Sequence, residues 1–183
     1  MPIDLKKVSV LVVEDLAPMR AMLVAVLEAF GINKIYEASD GRQAFEHFQN
    51  FKPDIIITDW LMEPIDGLEF IRMVRKSKKS ANPMVPIIVI TGYSAMQRVT
   101  MARDLGATEF LTKPFTGRDL AKRINQIITR PRDFVETEHF FGPDRRRRKG
   151  EYEGPKRRME DGISDESSSK EGRNSDMWDI VIK

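Results

Sequence analysis

The chain contains no cysteine, which excludes a disulfide framework, a thiolate metal site and a thiol nucleophile. It has only two histidines, His47 and His139, not set in a metal-ligand spacing, and both read as ordinary surface residues. No apolar run approaches membrane-spanning length, and the opening MPIDLKK lacks the apolar stretch of a secretory signal. The expectation is therefore a cytoplasmic protein with no membrane partner. A Gly-rich ATP-binding loop is also missing, so any phosphoryl donor must be external. Formal net charge is only +2.

What is present is unevenly spread. The 183 residues are 41% hydrophobic, enough for one ordinary domain with an appendage. Periodicity stops after Arg130, which places a domain at 1–130 and a mostly disordered tail at 131–183. Residues 141–158 carry eight basic and three acidic groups, and residues 159–183 carry three basic and seven acidic. The tail is thus a basic block followed by an acidic end.

Within 1–130, short apolar runs at Val8 to Val13, Ile35 to Ala38, Ile55 to Thr58, Val85 to Ile90 and Glu109 to Leu111 read as buried strands. Each is followed by a helical pattern. The first helix places Leu16, Met19, Leu23, Val26, Leu27 and Phe30 on one stripe before Gly31, a suitable C-terminal cap. In the last, Thr116 and Asp119 have capping-box spacing. Five βα units in series predict an α/β fold of the flavodoxin-like kind. Its parallel sheet has the order 2-1-3-4-5, with helices on both faces. In such sheets ligands gather at the carboxyl ends of the strands.

At that edge the sequence places Glu14 and Asp15 after the first strand, Asp59 after the third, Thr91 and Gly92 after the fourth, and Lys113 with Pro114 after the fifth. Taken singly, an acid at a strand end is most often a helix cap and a lysine most often surface. Their convergence from four loops favours a site. Clustered carboxylates repel one another and call for a cation, and an oxygen-lined site suits Mg2+. Asp15 and Asp59 would ligate directly, with Glu14 direct or through water. An ionised Asp59 can attack phosphorus and form an acyl phosphate. The Lys113 ammonium would offset charge on the phosphoryl oxygens, and the Thr91 hydroxyl would donate to them.

These residues, in the motifs LVVED, IIITDW with its Pro-Ile-Asp-Gly turn, VITG and LTKPF, resemble the receiver domains of two-component response regulators over about Lys7 to Thr129. The resemblance implies Glu14 and Asp15 as the acidic pair and Asp59 as phosphoacceptor. It implies the Leu61 backbone carbonyl as a further metal ligand, Thr91 as switch hydroxyl, and Lys113 as phosphate-pairing lysine before a cis Pro114. Phe110 matches the aromatic switch position, where a plain core phenylalanine is the competing reading. The implied protein is a phosphorylation-dependent regulator that catalyses its own phosphorylation and dephosphorylation, and no enzyme in the ordinary sense. Its partners would be a sensor histidine kinase or histidine phosphotransfer protein and a downstream target protein. The chain departs from the family where Glu63 stands in place of the usual proline, with Pro64 one position later.

An aspartyl-nucleophile hydrolase is the competing enzyme reading, but such enzymes carry a second acid two residues on, where this chain has Leu61. In the tail, Phe141 with GPDRR and Tyr152 with GPKRR form an imperfect repeat. It reads either as a solvated linker or as an anion-binding arm for a cyclic dinucleotide, RNA or an acidic protein. Arg145, Arg146, Arg147, Arg148, Arg157 and Arg158 would grip the ligand. The stretch GISDESSSKEGRNSD reads as disordered, and SDMWDIVIK around Trp178 as a short apolar terminus. No second set of amphipathic helices follows the domain, so helix-turn-helix DNA binding is not expected.

Overall fold

The computed structural model describes residues 5–92, 96–137 and 140–144. Five strands, β1 (Ser9–Val13), β2 (Lys34–Ala38), β3 (Ile55–Asp59), β4 (Ile87–Thr91) and β5 (Glu109–Thr112), alternate with α1 (Ala17–Ala29), α2 (Gly41–Phe51), α3 (Gly67–Lys76), α4 (Met96–Asp104) and α5 (Gly117–Thr129). The strands pair in parallel in the order β2-β1-β3-β4-β5, as the alternation of runs predicts.

Because successive strand residues face opposite ways, each central strand feeds two cores. Leu11 and Val13 pack with Ile56, Val89, Phe48, Phe70 and Ile71 on the face covered by α2 and α3. Val10 and Val12 pack with Ile57, Ile88, Leu23, Leu27, Leu120 and Ile124 on the face covered by α1 and α5. All of these are buried. The double burial explains why the strands read as continuous apolar runs and not as alternating ones.

Local signals fix the helix ends. Gly31 takes φ +86, and the turn closes with Gly31 N–H to the Glu28 carbonyl and Ile32 N–H to the Leu27 carbonyl, a Schellman termination that favours glycine. The expected capping box is present: Thr116 N–H donates to Asp119 Oδ2 at 2.9 Å, and Asp119 N–H donates to Thr116 Oγ1 at 3.3 Å. The stripe predicted for α1 needs one correction. Leu16 is 60% exposed, because it occupies the non-helical N-cap and its side chain leaves the apolar face.

The fold also continues past residue 130, where periodicity stops. Strands β6 (Phe134–Glu136) and β7 (Phe141–Pro143) form an antiparallel pair. It is tied down by long-range contacts: Arg132 donates to the buried Glu109 at 2.8 Å, and the Phe134 ring lies 5.2 Å from the Arg75 guanidinium. Arg75 is 4% exposed and donates to the carbonyls of Gly106 and Pro83. Burial lowers its pKa to about 9, still above neutral, so the group stays charged at pH 7. Phe141, the aromatic residue that opens the first of the two repeats, is half-buried 5.7 Å from Phe134. His47 is likewise half-buried, edge-on to Phe51 at 5.3 Å. The chain divides into two units, Met1–Arg147 and Arg148–Lys183, and all described residues belong to the first. The expectation of a mostly disordered tail from residue 131 is corrected where β6 and β7 form, at Phe134–Glu136 and Phe141–Pro143. Its remainder and the expectation of arginine-mediated binding fall on residues 145–183, and that for His139 on residue 139, outside the described residues. Among the described residues no helix is long and apolar enough to cross a membrane.

Candidate functional site

The carboxyl edge of the sheet collects the predicted side chains. Strands β1, β3 and β4, whose ends deliver Glu14, Asp15, Asp59 and Thr91, are buried throughout, and β5, which delivers Lys113, is anchored by the buried Glu109 and Leu111. Glu14 directly follows β1 and is itself buried; its N–H donates to the Ala38 carbonyl at 3.1 Å. Asp15 follows and is exposed. Asp59 ends β3 and is 8% exposed. The following residue is locked in turn, with Trp60 N–H donating to the Ile90 carbonyl at 2.9 Å.

Ligand oxygens of Glu14, Asp15 and Asp59 all lie within 4.8 Å of one another. Three carboxylates this close need positive charge between them. Part of it comes from Lys113, after β5, whose Nζ lies 2.8 Å from Asp59 Oδ1 and 3.0 Å from Glu14 Oε2. The Leu61 N–H donates to Asp59 Oδ2 at 3.3 Å, while the Leu61 side chain is 57% exposed beside the site. Among the described residues this is the one cluster of acids with metal-ligand geometry. Its all-oxygen donors, with Asp15 open to solvent, fit a hard divalent cation.

Thr91, at the end of β4, is 1% exposed, and its carbonyl accepts from Lys113 N–H at 2.8 Å, which joins the two loops. The Lys113–Pro114 peptide is cis, as the resemblance implies, and Glu63–Pro64 is cis as well. Phe110 pairs with Val89 in register and is half-buried against the α2/α3 core. The structure therefore brings Glu14, Asp15, Asp59 and Lys113 together, with Thr91 on the neighbouring strand end and Phe110 one strand further out.

Burial raises the Glu14 carboxyl above its usual range; the Lys113 hydrogen bond opposes this and the Asp59 charge adds to it. For Lys113, burial alone acts to lower the pKa, but its bonds to Asp59 and Glu14 outweigh it and the net shift is upward. Two consequences differ in sign at neutral pH. Lys113 contributes stability that is lost only in the alkaline range, as pH rises through its raised value. A raised Glu14 contributes stability that is complete below its ordinary value of 4.5 and lost as pH rises through the folded value, so its ionised form is a cost at pH 7. Glu14→Gln is accordingly expected to melt higher than wild type at pH 7 in chelator, with the gap closing toward pH 4. Melting curves at the two pH values check this, and a gap that widens on acidification contradicts it.

Two features of the site carry no obvious sequence signal. Arg20, on α1, donates from Nη1 to the Glu14 backbone carbonyl at 2.7 Å. Gly67 begins α3 directly against Asp59: a Cβ there would fall on the Asp59 carbonyl oxygen and lie 3.3 Å from Thr58 Oγ1. The Asp-Gly of the turn was visible, but its reason, the close approach of two backbones, was not.

The family model for the response regulator receiver domain matches residues 10–125. The phosphate regulon transcriptional regulatory protein PhoB of Pseudomonas aeruginosa is 30% identical over 122 residues, which cover 67% of this chain and 52% of PhoB. The transcriptional regulatory protein PdtaR of Mycobacterium tuberculosis is 35% identical over 129 residues, 70% of this chain and 60% of PdtaR. The chain thus spans between half and three fifths of these relatives. Among solved structures, the Vibrio cholerae chemotaxis protein CheY4 superimposes with a TM-score of 0.61 at 30% identity, covering 66% of this chain and 98% of CheY4. A putative response regulator from Chloroflexus aurantiacus gives 0.62 at 27% identity, covering 68% of this chain and all of that one. With the matched segment running through all five strands and ending inside α5, the chain belongs to the response regulator receiver domain family.

Proposed function

We propose that Asp59 accepts a phosphoryl group from a phosphohistidine on a sensor kinase or phosphotransfer protein, and that the modified domain engages a downstream target protein in the cytoplasm. The observation that carries this reading is the Lys113 ammonium, shared at 2.8 and 3.0 Å between Asp59 and Glu14 in a largely buried acid cluster. One Asp59 oxygen attacks phosphorus. The new P–O bond forms as the P–N bond breaks, and the electron pair leaves on the imidazole nitrogen, which takes up a proton. Lys113 then moves from the carboxylate to the phosphoryl oxygens, and the Thr91 hydroxyl donates to another of them.

Glu14, Asp15, Asp59 and the Leu61 carbonyl are the groups that would hold Mg2+, which when bound neutralises charge on the transferring group. Phe110 follows Thr91, altering the face formed by α4, β5 and α5. The relatives are signalling regulators, and this activity is self-modification without turnover of a free substrate. Neither the family nor the relatives support a cyclic dinucleotide or RNA at residues 145–148 and 157–158, so the arm forms no part of this reading. Acetyl phosphate is expected to add one phosphoryl group to the intact chain in Mg2+ and none in chelator, read by intact mass. Equal addition under both conditions overturns the reading.

A further inference from the structure

We infer that Arg20 is a positioning residue for the divalent cation, an assignment that rests on the acid cluster being the metal site proposed above. The Glu14–Asp15 segment carries two of the three acids, and hydrogen bonds hold it from both sides. The Glu14 N–H is held by the Ala38 carbonyl of β2 at 3.1 Å. The Glu14 carbonyl is held by Arg20 Nη1 at 2.7 Å. Arg20 does not float on this contact, since its Nε donates to Glu37 Oε2 on β2 at 3.2 Å and its side chain is only 21% exposed. The planar guanidinium therefore spans from β2 to the peptide that joins Glu14 to Asp15, using two donors in a fixed fork. Asp15 is exposed, so the plane of that peptide governs where its carboxylate points. Arg20 acts on the cation through this peptide and does not touch it.

Charge and geometry make opposite demands on Arg20, and this gives the inference a sign. A cationic side chain beside an acid cluster repels a dication, so if Arg20 acted only through its charge, removing it would tighten Mg2+ binding. If it acts by holding the Glu14 carbonyl, removing it loosens Asp15 and weakens binding. Lysine keeps the charge and loses the fork, so Arg20→Lys separates the two effects.

The experiment is calorimetric titration of MgCl2 into the full-length chain as wild type, Arg20→Met and Arg20→Lys, with thermal melting in chelator alongside. The Met variant is expected to bind Mg2+ about tenfold more weakly, the low end of the range for groups that orient metal ligands, and the Lys variant at least as weakly, because it keeps the repelling charge and loses the fork. Melting temperatures should stay within about 4 °C of wild type. If Arg20→Met does not melt cooperatively, Glu37→Gln takes its place: it leaves Arg20 in position but weakens its anchor, and a severalfold loss of Mg2+ affinity is expected. Unchanged or tighter binding in the Met variant, or in Glu37→Gln if that stands in for it, overturns the role of Arg20 while leaving the metal site intact. No Mg2+ binding by wild type overturns the metal site and the role of Arg20 with it.

Discussion

Asp59→Asn is expected to lose phosphoryl labelling by at least about three orders of magnitude while keeping its fold, because the substitution removes the nucleophile and little else. The amide has the shape of the carboxylate. Its oxygen can still accept from the Leu61 N–H, which lies 3.3 Å from Oδ2 in the wild type. What disappears is a negative charge and an attacking oxygen. One carboxylate fewer in a cluster whose oxygens lie within 4.8 Å lowers repulsion, and Lys113 keeps Glu14 as a partner at 3.0 Å. Stability should therefore hold or rise, and far-ultraviolet circular dichroism and melting will show it. Labelling rates by intact mass in Mg2+ supply the other half. Labelling of the Asn variant at the wild-type rate would move the phosphoacceptor elsewhere.

Gly67→Ala should be the most damaging single methyl group near the site. Its Cβ would meet the Asp59 carbonyl oxygen and lie 3.1 Å from the Asp59 carbonyl carbon, both backbone atoms of a buried strand end that cannot step aside. Thr58 Oγ1, which donates to that same carbonyl at 3.0 Å, stands 3.3 Å from the new methyl. Either α3 lifts away from β3, breaking the bond of Gly67 N–H to the Trp60 carbonyl, or Asp59 shifts. Overpacking of this kind costs about 3 kcal/mol. Labelling at Asp59 should fall with it, since a displaced carboxylate loses its line to Lys113. Gly92→Ala is the matched control, as a Cβ there meets nothing within 4 Å. Urea denaturation of the two variants should separate them clearly. Equal stability would mean that the β3–α3 approach is looser than the packing implies.

How far the sequence disclosed this depended on how local the cause was. The three central strands were legible because burial on both faces leaves continuous apolar runs, the edge strands β2 and β5 by their place in the βα alternation, and the capping box of α5 because Thr116 and Asp119 sit three residues apart. The acids and Lys113 were legible because strand ends in an α/β sheet converge on one edge. Leu16 misled because it matches the helical period yet stands at the N-cap, where the backbone has not begun to turn. The β6–β7 pair was missed because its strands are three residues each, too short for a period, and its anchors, Arg75 and Glu109, lie far back in the sequence. Arg75 is drawn inside by the carbonyls of Gly106 and Pro83 and the ring of Phe134, all distant in the sequence or without a residue type to mark them. Arg20 escaped for a like reason: its partner at the site is the Glu14 backbone carbonyl, which has no residue type to recognise, and its side-chain partner Glu37 lies on another strand.

The most direct measurement traps the acyl phosphate itself. Borohydride reduces an aspartyl phosphate to homoserine, a change that peptide mass spectrometry locates to a single residue. The chain is exposed to a phosphohistidine protein or acetyl phosphate in Mg2+, reduced and digested. The expected result is homoserine at position 59, absent from samples treated in chelator. An unmodified Asp59 in a chain that has nonetheless gained a phosphoryl group elsewhere would contradict the assignment.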